Sequence, residues 1–354
     1  MNSRLLVALV GAGLLLGLPS TPASPGSPAS PAPRATVRPE AQALALLESA
    51  SRAGRSLTYS GTQYAATWRG EDSGSVLVEV AHDATRGSVV TAPRAPGDDP
   101  VPMTATLDPR LLDLLAASYH LAVAAPGRCT GRSADVVEAS RPDGTLGGRF
   151  WIDRDSGLLL RREVFDEQGG RIRSSAFVDV QVARGDIAGG DIAGRDLAGS
   201  ARDEPPGPAA GAESVEQLRA AGWQVPAELP EGFRLFDTRL SRPSPGQQVL
   251  HLAYSDGLST VSLFSQSGRL GTVPPAGFVA GQVGERPVWV RRAAPERVVW
   301  SGGGRVWTLV SDAPSNAVMA AVGSLPRDRA PRGGALARLG RGSARIVGML
   351  NPFD

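Results

Sequence analysis

Lysine is absent from this chain of 354 residues, so its 37 basic side chains other than histidine are all arginines. With 35 acidic residues the net charge is only +2, and this balance argues against a nucleic-acid-binding face. Cysteine occurs once, at Cys129, which excludes an internal disulfide, so the fold must be stabilised by its core. We interpret Cys129 as a small residue in or beside a strand rather than as a reactive thiol.

Long apolar runs are also missing after the N-terminus, which disfavours any further membrane-spanning helix. The first residues have the order of a secretory signal peptide. Arg4 precedes an uncharged apolar run over residues 5–18, and small residues follow, with Ser20, Ala23 or Ser24 at a cleavage site. We predict a signal peptide over residues 1–23 and export from the cytoplasm to the extracytoplasmic space. An uncleaved N-terminal anchor is the alternative.

Histidine is scarce, and its three copies lie far apart in sequence: His82, His120 and His251. This spacing disfavours a metal site, and we expect no cofactor. His251, Ser255 and Asp256 do lie together in the segment HLAYSDG, but working catalytic triads are assembled from separated segments. We interpret residues 255–257 as a tight turn, in which Asp bonds its own backbone and Gly supplies a positive φ. The sequence gives no positive sign of an enzyme.

Segments rich in Pro, Gly and small residues divide the chain. Residues 24–37 are predicted to be a disordered spacer, and residues 184–212, which contain GDIAG, GDIAG and RDLAG, a flexible linker. They delimit a first domain over 38–183 and a second over 213–325. The remaining residues, 326–354, form a basic tail that either lies on an anionic membrane surface or, given its glycines, is a disordered tail.

The first domain is predicted to be α+β. Helical spacing over residues 43–50 indicates a helix capped by Gly54, and Asp108-Pro109 begins a second helix. Alternating apolar and polar residues predict seven strands joined by short turns: 56–68, 75–82, 119–124, 134–139, 148–153, 158–165 and 172–182. Such an order favours an antiparallel meander packed against one helix.

The second domain is predicted to be a smaller α+β unit. Ser214 and Gln217 have the spacing of a capping box, and residues 317–322 form an apolar helical stripe. Predicted strands lie at 233–240, 248–254, 260–265, 288–292, 298–301 and 305–311. Since residues 302–304 join two of these strands, the triple glycine is interpreted as a hairpin turn and not as a phosphate loop.

A curved sheet leaves apolar surface that one helix cannot cover. Six apolar side chains of the first domain are candidates for a face that binds a lipid chain or a peptide: Trp68, Phe150, Trp151, Leu158, Leu160 and Phe177. Ordinary core packing is the alternative for most of them.

Several segments of the chain together resemble the RseB/MucB family. The stretch GRFWIDRDSGLLLRREVFDEQG (148–169) is similar to its most typical segment, a strand ending in W-x-D, an S-G-L-L turn and a second strand. Further segments agree in order and spacing across both domains: YSGT (59–62), GRSA (131–134), Trp223, LPEGF (229–233), YSDGL (254–258) and VSLF (261–264).

The resemblance implies both a fold and a role. The first domain would be a half-open antiparallel barrel around a helix, like the lipoprotein carriers LolA and LolB. The protein would bind the outer segment of a transmembrane anti-sigma factor and modulate its proteolysis, with a lipid-type signal as a further input. We assign partner binding to residues of the shared second-domain motifs: Phe233, Tyr254, Asp256, Leu258 and Phe264. The alternatives are a lipid or lipoprotein carrier and an exported hydrolase using His251 and Ser255.

Overall fold

A computed structural model describes residues 39–70, 72–91, 107–183, 214–244, 246–293 and 295–326. The predicted signal peptide, spacer and linker lie outside the described residues, as does the tail after Pro326, and the exact domain boundaries stay a prediction. Two antiparallel sheets, each of eight strands, belong to one compact unit. Within the residues that the structure describes, no helix is both long and apolar enough to span a membrane.

The N-terminal half contains two helices and eight strands: α1 (Pro39–Ser56), β1 (Tyr59–Arg69), β2 (Asp72–Asp83), β3 (Gly87–Thr91), α2 (Pro109–Ser118), β4 (His120–Cys129), β5 (Arg132–Ser140), β6 (Leu146–Asp153), β7 (Leu159–Phe165) and β8 (Arg171–Val182). The strand order is β3-β2-β1-β8-β7-β6-β5-β4. The sheet therefore consists of two meanders joined where β1 pairs with β8. The prediction of an α+β fold with a curled antiparallel half-barrel around a helix is confirmed.

The C-terminal half is the predicted smaller α+β unit, with elements α3 (Val215–Ala220), β9 (Glu228–Leu229), β10 (Phe233–Ser244), β11 (Gln247–Ser255), β12 (Thr260–Ser267), β13 (Val279–Val283), β14 (Arg286–Arg291), β15 (Glu296–Gly302), β16 (Arg305–Ser311) and α4 (Ser315–Ser324). Its strand order is β13-β14-β15-β16-β12-β11-β10-β9. Helices α3 and α4 contribute to one core cluster with the sheet, in which Trp300 and Trp307 stack at 6.2 Å.

Local sequence signals explain most helix ends. Ser214 and Gln217 form both hydrogen bonds of the capping box at α3, and the Asp108 carboxylate accepts from the Arg110 amide at the start of α2. The prediction of a cap at Gly54 is wrong: the Leu57 amide donates to the Ala53 carbonyl at 3.0 Å, so the helical bonding continues past the glycine.

The turn between β15 and β16 is the predicted hairpin. Gly302 pairs with Arg305, and the two residues between them, Gly303 and Gly304, have φ of +63° and +74°. Two consecutive positive φ angles are those of a type I′ turn, which matches the twist of the flanking strands. Three strands were not predicted: β3, β9 and β13.

Candidate functional site at the domain junction

The segment Ser255–Leu258 is a tight turn, as predicted. The Asp256 Oδ1 atom accepts from the amides of Leu258 (2.8 Å) and Ser259 (2.7 Å), and Gly257 has a φ of +94°. Ser255 Oγ donates to the Ser259 carbonyl at 2.7 Å. The hydroxyl and the carboxylate of the suggested hydrolase cluster therefore stabilise the turn itself.

This turn of the C-terminal half is inserted into the N-terminal half, and we call it the junction turn. A Cβ added to Gly257 would lie 2.4 Å from the Leu115 Cα of helix α2. The turn can therefore pack this closely against α2 only because residue 257 is glycine. The Tyr119 hydroxyl donates to Asp256 Oδ2 at 2.6 Å. Leu258 is buried in the core cluster beneath α1, against Gly148, where a Cβ would come within 2.6 Å of its side chain.

Two buried arginines of the N-terminal half converge on the junction turn. The Nη2 atoms of Arg162 and Arg173 donate to the Leu258 carbonyl at 2.6 and 2.7 Å, and Arg173 is also ion-paired with Asp312. Burial lowers the pKa of Arg162 to about 10 and that of Arg173 to about 9, while Asp256 opposes both shifts. Both guanidinium groups are therefore charged at neutral pH.

A third arginine crosses the junction at its other end. Arg69 Nη1 donates to Glu296 Oε2 at 2.7 Å, and to the Ala313 carbonyl and Ser315 Oγ at 3.1 Å each. The Glu296 side chain is only 1% exposed. Burial lowers the pKa of Arg69, and the charge of Glu296 opposes that shift.

The buried charges paired across the junction are segregated by sign. The N-terminal half supplies the cations and the C-terminal half supplies the carboxylates: Arg69, Arg162 and Arg173 face Asp256, Glu296 and Asp312. Docking of the halves thus neutralises buried charge, and their separation would leave like charges uncompensated on each surface.

A cleft of about 380 Å³ lies beside the junction turn. Both halves line it, with Tyr119, Arg141 and Phe165 from one and Phe233, Arg234 and Pro314 from the other. Arg141 donates to the carbonyls of Leu146 and Phe165, so it is a structural support of this wall as well as a source of positive charge.

The structure does not bring the six predicted ligand-binding side chains together on one face. Phe150 is buried in the cluster beneath α1. A second cluster holds the three residues Leu158, Leu160 and Phe177. Trp151 packs in a third cluster, with the Arg161 guanidinium 4.6 Å from its ring centre, and the Arg171 guanidinium lies 4.4 Å above Trp68. Core packing therefore describes five of the six, and ligand contact at any of them stays a prediction.

The five predicted partner-binding residues have two environments. Four are buried: Phe233, Tyr254, Asp256 and Leu258. The Tyr254 hydroxyl donates to the Pro226 carbonyl at 2.9 Å, and burial raises its pKa. Phe264 instead stacks on His251 at 4.4 Å between ring centres. Asp256 and Leu258 thus contact the other half of the chain in this structure, and contact with a partner stays a prediction for all five.

The histidines are used in packing and hydrogen bonding. The His251 Nε2 atom is buried with no hydrogen-bond partner among the described residues, and burial lowers the His251 pKa to about 4. His82 contacts Ser88 Oγ at 2.7 Å and the Arg55 carbonyl at 3.2 Å. In the described parts of the chain, no group of three or more His, Cys, Asp or Glu side chains is arranged to hold a metal ion.

The sequence reasoning missed the three junction arginines. A signal was present for one of them: Arg162 alternates with Val164 along β7, and Val164 is in the core cluster beneath α1. A charged residue at an apolar position of a strand indicates a buried partner. That partner, the Leu258 carbonyl, is 96 positions away in sequence, so the pattern alone could not name it.

Comparisons with known proteins place a family domain on part of the chain. Residues 75–200 match the family model of the MucB/RseB N-terminal domain. No curated protein matches the chain.

Solved structures also show likenesses. A crystal structure of MucB in complex with MucA(peri) is 21% identical, with 79% of this chain and 97% of that chain covered and a TM-score of 0.41. The MucA/MucB complex of Pseudomonas aeruginosa is 22% identical over 79% and 97% of the two chains, also with a TM-score of 0.41. A LolA superfamily protein from Nitrosomonas europaea is 10% identical over 40% of this chain and 94% of that chain, with a TM-score of 0.18. Residues 75–200 are therefore similar to the MucB/RseB N-terminal domain, and the motif series that resembles this family extends from β1 to β12.

Proposed function

We propose that this protein is a non-enzymatic, extracytoplasmic regulator that binds the outer segment of a transmembrane anti-sigma factor. Binding would shield that segment from proteolysis and so keep the sigma factor sequestered, with a lipid-type signal as the releasing input. The observation that carries the proposal is the family domain over residues 75–200. The signal peptide predicted for residues 1–23 supports a location outside the cytoplasm, near the membrane.

The cleft beside the junction turn supports a binding role. Because both halves line it, a peptide segment held there would contact both at once. Affinity for such a segment would then depend on how the halves are docked, and the buried ion pairs at Arg69 and Arg173 hold that docking. A change at the junction can therefore be transmitted to the bound partner.

The test begins with capture. The exported protein, immobilised, is mixed with the purified outer segments of single-pass membrane proteins encoded nearby, and a bound segment is then challenged with protease. We expect one segment to be retained and to be cleaved more slowly in the complex. Deletion of the gene should raise expression of the associated sigma regulon, and an unchanged regulon would contradict the proposal.

The lipid-carrier alternative rests on an apolar concavity of the first domain. Five of the six candidate side chains lie in core clusters, which supports core packing for them, and Trp68 packs against Arg171. A carrier should co-purify with acyl chains in near-stoichiometric amount, and this measurement separates it from the regulator.

A further inference from the structure

Three exposed apolar side chains form a patch on the face of the N-terminal sheet that is turned away from α1. We call it the outer patch: Leu77, Tyr64 and Val178, which are 52%, 37% and 57% exposed. Tyr64 pairs with Leu77 on β2 and with Ala176 on β8, and Val178 is two positions beyond Ala176. Half of the six exposed large apolar side chains in the described ranges are therefore on one surface, and such clustering marks a contact site.

Two exposed carboxylates border the outer patch. Asp179 on β8 and Glu79 on β2 both pair with Thr62 of β1, one row away from the apolar side chains. The register shift between Thr62 and Gln63 explains why Val178 and Asp179, although consecutive, are both exposed. An occupant of this surface must therefore combine apolar side chains with basic ones.

The C-terminal tail of the same chain has this composition. Residues 327–354 contain six arginines and two aspartates, and the apolar segment IVGML (346–350) follows the last arginine. The cation beside the outer patch on the next strand is Arg161, which is ion-paired with Glu163. The charge left on this surface for an incoming arginine is therefore that of the bordering carboxylates.

The tail is long enough to reach the outer patch. Arg69, at the end of β1, donates to Ser315 at the start of α4, and Pro326 directly follows that helix. Five residues of strand separate Tyr64 from Arg69, about 17 Å, and α4 is about 15 Å long. Pro326 is thus within about 40 Å of the outer patch, whereas the 20 residues that lead to Ile346 can span about 65 Å.

We propose that the outer patch is the docking site of the chain's own tail. The segment IVGML would cover Leu77, Tyr64 and Val178, and tail arginines would face the two bordering carboxylates. Because site and segment are in one chain, their effective concentration is high and a weak contact suffices to keep the tail docked. This inference goes beyond the proposed function, since it uses neither the cleft nor the junction turn.

Photo-cross-linking identifies the occupant. The full exported chain carries p-benzoylphenylalanine in place of Tyr64 and is irradiated as an equal mixture of light and ¹⁵N-labelled protein, with and without phosphatidylglycerol vesicles. We expect cross-links to peptides of residues 339–354 within one molecule. The matched control has the probe in place of Val279, an exposed apolar residue on β13 of the other sheet, and should give no tail peptide.

A cross-link that joins light and heavy chains would assign the outer patch to a second copy and overturn the proposal. A cross-link to added lipid with no tail peptide would assign it to a membrane surface and overturn the proposal as well.

Tryptic cleavage of the tail measures the docking. The outer-patch variant Leu77→Ser/Val178→Ser should lose the tail about tenfold faster than the wild type, followed by intact mass, because cleavage tracks the undocked population. Val123→Ser/Val279→Ser is the control, with exposed apolar side chains replaced elsewhere, and should behave as the wild type does. Equal rates for these two variants would overturn the proposal.

The charge contribution has its own test in the same digestion. Asp179→Asn should speed cleavage about threefold, the effect of losing one exposed ion pair, and high salt should reduce this difference. Glu285→Gln is the control, since Glu285 is an exposed carboxylate between β13 and β14, and should leave the rate unchanged. An unchanged rate in Asp179→Asn would overturn the pairing of the tail arginines with this border.

Discussion

The ion pair between Arg69 and Glu296 offers a direct measure of how strongly the two halves are coupled. Replacing Arg69 with Met removes hydrogen bonds to Glu296, Ala313 and Ser315 and leaves a carboxylate that is 1% exposed without its cation. Breaking a buried pair from one side costs about 3–5 kcal/mol of unfolding free energy. Glu296→Met should cost less, about 2–3 kcal/mol, since Arg69 is 16% exposed and keeps a carbonyl acceptor.

The double variant Arg69→Met/Glu296→Met separates the pair from its surroundings. Because neither charge is then left uncompensated, we expect it to be more stable than Arg69→Met and within about 2 kcal/mol of the wild type. Urea denaturation followed by tryptophan fluorescence and circular dichroism supplies the free energies. Arg154→Met is the control, since Arg154 and Asp135 form a largely exposed pair that should contribute under about 1 kcal/mol. Single-variant losses as small as this control, or a coupling energy near zero, would refute the reasoning.

Three further predictions concern single positions. Gly61→Ala should destabilise the N-terminal half by about 2 kcal/mol or more in the same denaturation assay, because a Cβ there would lie 2.2 Å from the Asp179 carbonyl oxygen. Gly74→Ala is the control and should be nearly neutral, since the nearest atom to its added Cβ would be 3.8 Å away. The His251 pKa is lowered to about 4 in the fold, so His251 of the unfolded chain binds a proton at higher pH than His251 of the folded chain does. Protonation therefore favours the unfolded chain. The free energy of unfolding should fall by up to about 3 kcal/mol as the pH is lowered from 6.5 to 4. This loss should be absent from His251→Phe, and parallel stability curves of the two proteins between pH 7 and 4 would contradict it. Asp108→Ala should cost about 1 kcal/mol at α2, measured by thermal unfolding, and a cost below about 0.3 kcal/mol would mean that the cap contributes little.

Turn chemistry explains why the meander order could be predicted from the sequence. Aspartate and glycine at the ends of the strands give turns with the expected geometry, such as the one after β6, where Asp153 accepts from Ser156 and Gly157 has a φ of +76°. The strands that escaped prediction also adjoin such turns, with Gly87 beside β3 and Gly284 beside β13 at positive φ, but the strands themselves give weak or short patterns. Strand β13, with the sequence VAGQV, is an edge strand that alternates weakly, and β9 is only two residues long.

The candidate site could be predicted only in part. Register shifts in the strand pairing decide which side chains share a face of the sheet, and the periodicity of the sequence does not show these shifts or the contacts between distant segments. Register shifts between Trp151 and Ile152, and between Thr62 and Gln63, alter which side chains share a face. For this reason Phe150 and Leu160, predicted for one surface, are in different clusters. The motif series indicated the junction turn but not its contacts with the other half of the chain, which Asp256 and Leu258 make in this structure. Partner binding by these two residues stays a prediction.

The position of the shared YSDGL motif changes how its variants must be interpreted. Leu258→Ala and Arg69→Met both loosen the junction, so we expect both to weaken capture of the anti-sigma segment even if neither side chain touches it. A residue that contacts the partner would instead lower its affinity while the free protein unfolds as the wild type does. Measuring capture and urea unfolding on the same samples distinguishes these cases. If Leu258→Ala lowers the affinity and leaves unfolding unchanged, Leu258 contacts the partner directly, and the junction turn is a binding element that this docked arrangement conceals.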